Sequence, residues 1–447
     1  MKIRNGLLIL AALAISACSF SDDDDDGGNG PASCSNGDQK RYVRDAMQGW
    51  YLWNDLLPNK IPVSDYETPE ALVADLMNYS LDDGNGNPVD RFSFVGSAAE
   101  DAAFFGAGQF EGFGFGTMML ASDDVRLTRV FANSPAEMGG LMRGQRILEL
   151  DGRTIAEIEA AEGLDVVFDT TPLTFLIEEP GGTQFATTIA QDVVTIDPIP
   201  QYRVIAANDG SGRMVGYVEL ASFIGTANDE FANVFADFVA NGVNDVIIDL
   251  RYNGGGLVNT ANLLGDYLGG DIAANLVFSE TLFNDDRAAN NNSRSFFDRI
   301  PNSMSLSRLV VIATGSTASA SELVTNSMAP HVEVTIVGAD TFGKPIGQVG
   351  FTFCEKILRA TAFQTVNADG FGDYFDGIPA NCPAADDLTI AVGADTDPNM
   401  IAAMEFLATG QCPVVAPPPA AFGLQAQTQP PRPDLRGPPW REFAGAY

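Results

Sequence analysis

Between Gln39 and Leu81 apolar residues recur three and four positions apart, a spacing that predicts helices. Tyr42, Met47, Trp50, Tyr51 and Trp53 gather ahead of Leu56-Leu57-Pro58. Pro69 then opens a second helical run with Leu72, Leu76 and Met77 on one side. From Phe110 to Thr195 the period shortens to two. Alternating stretches at 125–130, 146–150, 173–177 and 184–189, parted by glycine and proline turns, predict a small β-rich module. After Gly212 the apolar runs become continuous. Segments 214–220, 245–250, 308–314 and 332–337 read as buried strands, and amphipathic stretches 229–240 and 259–268 read as helices between them. Past Cys412 the chain is proline-rich and of low complexity, and no internal repeat is visible.

The length, 447 residues, exceeds one core and implies two or three domains. A hydrophobic content of 45% supplies the material to fill them. Lys2 and Arg4 precede an apolar stretch, Leu7 to Ile15, which is too short to span a bilayer comfortably and ends in Ile15-Ser16-Ala17-Cys18. Small residues ahead of that cysteine resemble a bacterial lipobox, which implies cleavage before Cys18 and lipid on its thiol. Ser19 stands where an inner-membrane retention aspartate would stand, so the outer membrane of the cell envelope is the expected location. Asp22 to Asp26 and Gly27-Gly28-Asn29-Gly30 form an acidic, flexible tether. The net charge of −34 argues against nucleic acid or anionic lipid as partners.

With Cys18 assigned to lipid, Cys34, Cys354, Cys382 and Cys412 remain. Their wide spacing suits disulfides in an oxidising compartment better than a metal site. Of the three possible pairings, Cys354–Cys382 with Cys34–Cys412 is the expected one. No metal or cofactor site is expected. The loop 82–90 has early EF-hand spacing, but Pro88 stands where glycine is needed and Phe94 where the closing glutamate belongs.

Within the β-rich module, Ser134-Pro135-Ala136-Glu137-Met138-Gly139-Gly140-Leu141 leads into Arg143-Gly144-Gln145-Arg146-Ile147-Leu148-Glu149-Leu150-Asp151-Gly152. That pattern resembles a PDZ domain, and Gly112-Phe113-Gly114-Phe115-Gly116 lies where such a domain carries its carboxylate-binding loop. Glycines let backbone N–H groups converge on a peptide carboxylate beside an open strand edge.

Gly315-Ser316-Thr317-Ala318-Ser319-Ala320-Ser321-Glu322 joins a buried strand to an amphipathic helix. Ser319 would sit at the helix start, where unpaired N–H groups favour developing negative charge, although serine and glutamate there are also ordinary capping residues. Apart from Lys2, the chain has four lysines, Lys40, Lys60, Lys344 and Lys356. Lys344 follows a buried strand in Thr341-Phe342-Gly343-Lys344-Pro345-Ile346-Gly347-Gln348. An amine drawn into an apolar site there loses proton affinity and can serve as a base. The single histidine, His331, follows Pro330 one helix length from Ser319, away from the hydroxyl. No lysine lies three residues after a serine, so a penicillin-binding arrangement is absent.

Ser319 to Glu322, Lys344 and Gln348, preceded by Asp249-Leu250-Arg251-Tyr252-Asn253-Gly254-Gly255-Gly256, resemble the C-terminal processing (tail-specific) serine proteases. The order of parts agrees with that family from Tyr42 to Pro379. Pro345 stands where the family more often has glycine, and Ala380-Asn381-Cys382 departs from a later family segment. The resemblance implies an α+β multidomain protein with a ClpP/crotonase-like catalytic domain. It implies Ser319 as nucleophile, Lys344 as general base, Gln348 as orienting residue, and an oxyanion hole from the N–H groups of Ala320 and of Gly255 or Gly256. The expected layout is a lipoprotein signal at 1–17, a tether at 18–38, a helical region at 39–104, a PDZ domain at 105–195, a protease domain at 196–412 and a tail at 413–447. The partners would be protein or peptide substrates, engaged by their C-termini. The alternative is a non-cleaving, peptide-binding lipoprotein with a relict protease domain.

Overall fold

A computed structural model describes residues 30–413 apart from Asn85 and Asn208, together with Pro438. The lipidation candidate Cys18, the acidic run and nearly all of the tail lie outside the described residues. Among the described residues no helix is long and apolar enough to cross a membrane.

The architecture is mixed α/β. Its centre is a six-stranded sheet in the order Gln201–Ala206, Met214–Glu219, Asp245–Asp249, Arg308–Ala313, Glu333–Gly338, Cys382–Pro383, parallel except for the first pair. Burial on both faces explains the continuous apolar runs of these strands. Val246 and Ile248 pack with Phe231, Phe235, Leu264 and Val324 from the helices Ala227–Ala240, Val258–Gly269 and Ala320–Met328. Ile247, Val310 and Ile312 face the opposite way, onto Met400, Ala403 and Leu407 of the helix Pro398–Thr409.

A second, antiparallel sheet was not legible in the periodicity. It runs Phe94–Ser97, Lys356–Val366, Val277–Phe283, Ser293–Phe296, with Ile346–Phe353 also paired to Lys356–Val366. Val43 and Met47 of the helix Asn36–Trp50, and Leu72 and Leu76 of Pro69–Leu76, share one apolar cluster with Leu358, Phe353 and Phe342. Pro69 begins the second of these helices, as its sequence predicts, and Thr68 caps it.

The module between the two halves holds five strands in the order Phe115–Ala121, Asp124–Val130, Arg146–Leu150, Leu173–Glu178, Gln184–Ile189, with a short sixth, Arg153–Thr154, beside the third. Its core takes in Ile155 and Ile158 of one helix and Phe168 of the next. Phe113 and Phe115 are fully buried, their rings stacked 5.9 Å apart. Their side chains therefore fill the core, and the carbonyls of Phe113 and Gly114 accept from Ala136 N and Phe131 N, each at 2.9 Å. Gly114 has φ 87°, and a Cβ there would lie 2.3 Å from the Ser134 Cβ.

The disulfides correct the expected pairing. Cys34 bonds Cys354 and Cys382 bonds Cys412, with Cα separations of 5.9 and 5.2 Å. Cys354 lies in the tight turn of the hairpin that joins Ile346–Phe353 to Lys356–Val366. That turn reaches the start of the first helix, a proximity no count of intervening residues reveals. The double replacement Cys34→Ser/Cys354→Ser is expected to cost about 2–4 kcal/mol in denaturant unfolding.

Candidate active site

Three loops meet at the carboxyl ends of adjacent parallel strands, the usual place for chemistry in such a sheet. The glycine loop follows Asp245–Asp249, the serine turn follows Arg308–Ala313 and the lysine loop follows Glu333–Gly338.

Ser319 is the residue just before the helix Ala320–Met328, with φ 54° and ψ −114°. Non-glycine residues avoid this region unless the surroundings impose it. Here Ala318 N and Ser321 Oγ both donate to the Asn253 carbonyl, each at 3.0 Å, and Leu323 N donates to Ser319 O at 2.7 Å. The glycine loop fits directly beneath. A Cβ on Gly255 would lie 2.7 Å from the Ser319 Cβ and 2.8 Å from Ala320 N, so no other residue fits there. Ala320 N–H is one of the first-turn donors that a helix leaves without an internal partner. The Gly255 N–H is engaged by Asn253 Oδ1 at 2.9 Å.

The loop is held from below by buried charge. Arg251, 1% exposed, donates to Asp249, to Asp397 at 2.6 Å and to Asp386 at 2.9 Å. Asp386 also accepts from Arg143 of the β-rich module at 2.7 Å, and Arg143 donates to the Tyr252 hydroxyl at 2.9 Å. The module thus touches the residue next to Asn253.

One carboxylate joins serine and lysine. Glu322 is fully buried; its Oε2 accepts from Ser319 N at 2.9 Å and Lys344 N at 2.8 Å. Its Oε1 accepts from Gly343 N at 2.7 Å and from the Thr341 hydroxyl. Burial pushes the Glu322 carboxyl up from its ordinary range, and these hydrogen bonds pull the other way. A Cβ on Gly343 would lie 2.2 Å from the Phe375 carbonyl, which explains the glycine before Lys344.

Lys344 itself is half-buried. Burial pushes its amine down to about 8, against the opposing pull of Asp90 and Glu322 and with help from Arg359. Nζ donates to Gln348 Oε1 at 3.3 Å and makes no hydrogen bond to Ser319 in this structure. It lies 4.4 Å from the Phe92 ring centroid. Gln348 is on the strand Ile346–Phe353, just after a bulge between Gly347 and Gln348. Such a bulge redirects a side chain. Pro345 is accommodated in this loop, its carbonyl accepting from Thr365 N at 2.9 Å. His331 bonds the Val277 carbonyl at 2.9 Å and stacks edge-on against Phe297.

The family model for Peptidase family S41 matches residues 214–379, and that for the Peptidase S41 N-terminal domain matches residues 38–94. Among curated proteins the chain is 27% identical over 238 residues to a carboxyl-terminal-processing protease of Synechocystis, covering 51% of each. It is 27% identical over 239 residues to a chloroplastic C-terminal processing peptidase of Tetradesmus obliquus, covering 50% of this chain and 49% of that one. The chain spans about half the length of the curated relatives it matches. Among solved structures, a candidate S41 protease from Bacteroides fragilis matches with TM-score 0.65 and 24% identity, over 83% of this chain and 97% of that one. The photosystem II D1 C-terminal processing protease matches with TM-score 0.52 and 18% identity, over 79% of this chain and 94% of that one. These two likenesses concern the fold.

Proposed function

The chain belongs to peptidase family S41, the C-terminal processing proteases, and on that premise we propose that it is a serine endopeptidase acting through Ser319 and Lys344. The observation that carries the reading is Glu322, whose single carboxylate fixes both the serine turn and the lysine loop. Neutral Lys344 takes the Ser319 hydroxyl proton as Oγ adds to the scissile carbonyl. Ala320 N–H and a glycine-loop N–H receive the oxyanion. With Gly255 N–H engaged by Asn253, Gly256 is the favoured second donor. Collapse expels the amine, which takes the proton from Lys344, and water then releases the acyl group from Ser319. Gln348 holds the amine in the resting state, and the amine turns to the hydroxyl when substrate arrives, a tightening common in hydrolases.

Because the base must be neutral, kcat/KM is expected to rise about tenfold per pH unit below 8 and to level off above it. At pH 7 only roughly a tenth of the enzyme would hold the neutral amine. A profile flat from pH 6 to 9 in steady-state peptide cleavage would contradict Lys344 as base.

The module at 105–195 is read as a PDZ domain whose loop Gly112-Phe113-Gly114-Phe115-Gly116 receives a substrate C-terminus beside the strand Phe115–Ala121, which is terminal in its sheet among the described strands. Amidating a substrate's C-terminus should then raise KM several-fold and leave kcat unchanged. Envelope proteins or peptides are the proposed substrates, met at an outer-membrane surface to which lipidated Cys18 anchors the chain. A peptide-binding protein that cleaves nothing is the competing reading; tight peptide binding without cleavage of any tested peptide would favour it.

A further inference from the structure

The backbone of Lys344 is fixed by Glu322, and its amine is fixed from another direction. Nζ lies 4.4 Å from the Phe92 ring centroid and 3.3 Å from Gln348 Oε1. Gln348 Nε2 in turn donates to the Phe92 carbonyl. One residue therefore touches the amine with its ring and orients the amine's acceptor with its backbone. Phe92 is 3% exposed and meets Phe342 edge to face at 5.9 Å. Its mount is rigid as well. Phe92 N and Ser93 N donate to Asp90 Oδ1 at 2.9 and 3.1 Å, and the Thr361 hydroxyl donates to the same atom at 3.0 Å. Ser93 Oγ donates to Asp90 Oδ2 at 2.6 Å and accepts from Thr361 N at 3.0 Å.

We propose that Phe92 is a positioning residue of the active site, its ring and carbonyl together setting the Lys344 amine beside Gln348 and shielding it from water. The proposal rests on the reading of Lys344 as base, and it makes the N-terminal helical region a working part of the site rather than a cover. The ring acts in two opposed ways. Its face attracts the ammonium form, while its bulk keeps water away and favours the neutral amine. The charged groups around the amine are Asp90 on the same segment, Glu322 on the serine helix and Arg359 on the strand Lys356–Val366. Arg91 shares the Phe92 ring, its guanidinium 5.7 Å from the centroid.

Two substitutions separate the effects through the pH dependence of kcat/KM. Phe92→Leu keeps the bulk and loses the π face, so the rising limb should move about half to one unit toward lower pH. Phe92→Ala admits water, so the limb should move up by about one unit or more, with kcat falling roughly 10-fold to 100-fold and KM little changed. Thermal unfolding is followed on the same samples, and if the alanine variant does not fold, the direction of the leucine shift decides. A folded Phe92→Leu enzyme whose limb stays at the wild-type position would overturn the proposal. Lys344→Ala is assayed alongside: undiminished cleavage there defeats the base itself. An inactive Lys344→Ala with an unmoved limb in Phe92→Leu defeats Phe92 alone.

Discussion

Ser319→Ala is expected to lower kcat/KM for peptide cleavage by roughly 10⁴-fold or more, because no acyl-enzyme can form without the hydroxyl. The same change should leave thermal stability within about 1 kcal/mol of wild type. Both halves follow from the geometry. The hydrogen bonds that hold Ser319 itself run through its own backbone, Ser319 N to Glu322 and Leu323 N to Ser319 O, and alanine keeps them. The left-handed φ of 54° is already carried by a residue with a Cβ, so the substitution adds no new strain. Side-by-side cleavage assays and thermal melts check the pair. A variant that melts like wild type and still cleaves would remove Ser319 from the mechanism.

Glu322→Ala should be destructive in another way. Its carboxylate accepts from Ser319 N, Gly343 N, Lys344 N and the Thr341 hydroxyl inside a fully buried site. Removing it strands all four donors, at an expected cost of about 3–5 kcal/mol. The serine turn and lysine loop also lose their shared tie, so activity should fall at least 100-fold even where the variant remains folded. Glu322→Gln will not rescue it fully. Both oxygens accept hydrogen bonds, so an amide nitrogen in either orientation faces donors. Denaturant unfolding and cleavage by the two variants test this; near-wild-type stability in Glu322→Ala would show that the bonds contribute little.

The strands of the central sheet were readable because burial on both faces leaves unbroken apolar runs; 245–250 was expected and Asp245–Asp249 is observed. The serine turn, the lysine loop and the glycine turn stood out only together, through their shared resemblance to the C-terminal processing proteases; taken singly they read as a helix cap, a loop lysine and a turn. What could not be read depends on distant partners. Glu322 looked like a capping residue, and it does meet Ser319 N, yet two of its other donors lie 21 and 22 residues on. Arg251 gave no hint of Asp386 and Asp397, 135 and 146 residues away. Phe92 carries no motif, and only the folded chain brings it to Lys344. The hairpin that holds Gln348 is bulged and half-exposed, which blurs its alternation. Disulfide pairing failed for the same reason, because the partner of Cys354 is set by where the hairpin turn lands.

The central claim is that Lys344 activates Ser319 as a nucleophile. Its most direct test is to incubate the full chain with a serine-directed fluorophosphonate at pH 8.5 and locate the adduct by peptide mass spectrometry. The expected result is a single adduct on Ser319, formed at least 100-fold more slowly by Lys344→Met. An adduct on another serine, or equal labelling rates in the wild type and Lys344→Met, would contradict the claim.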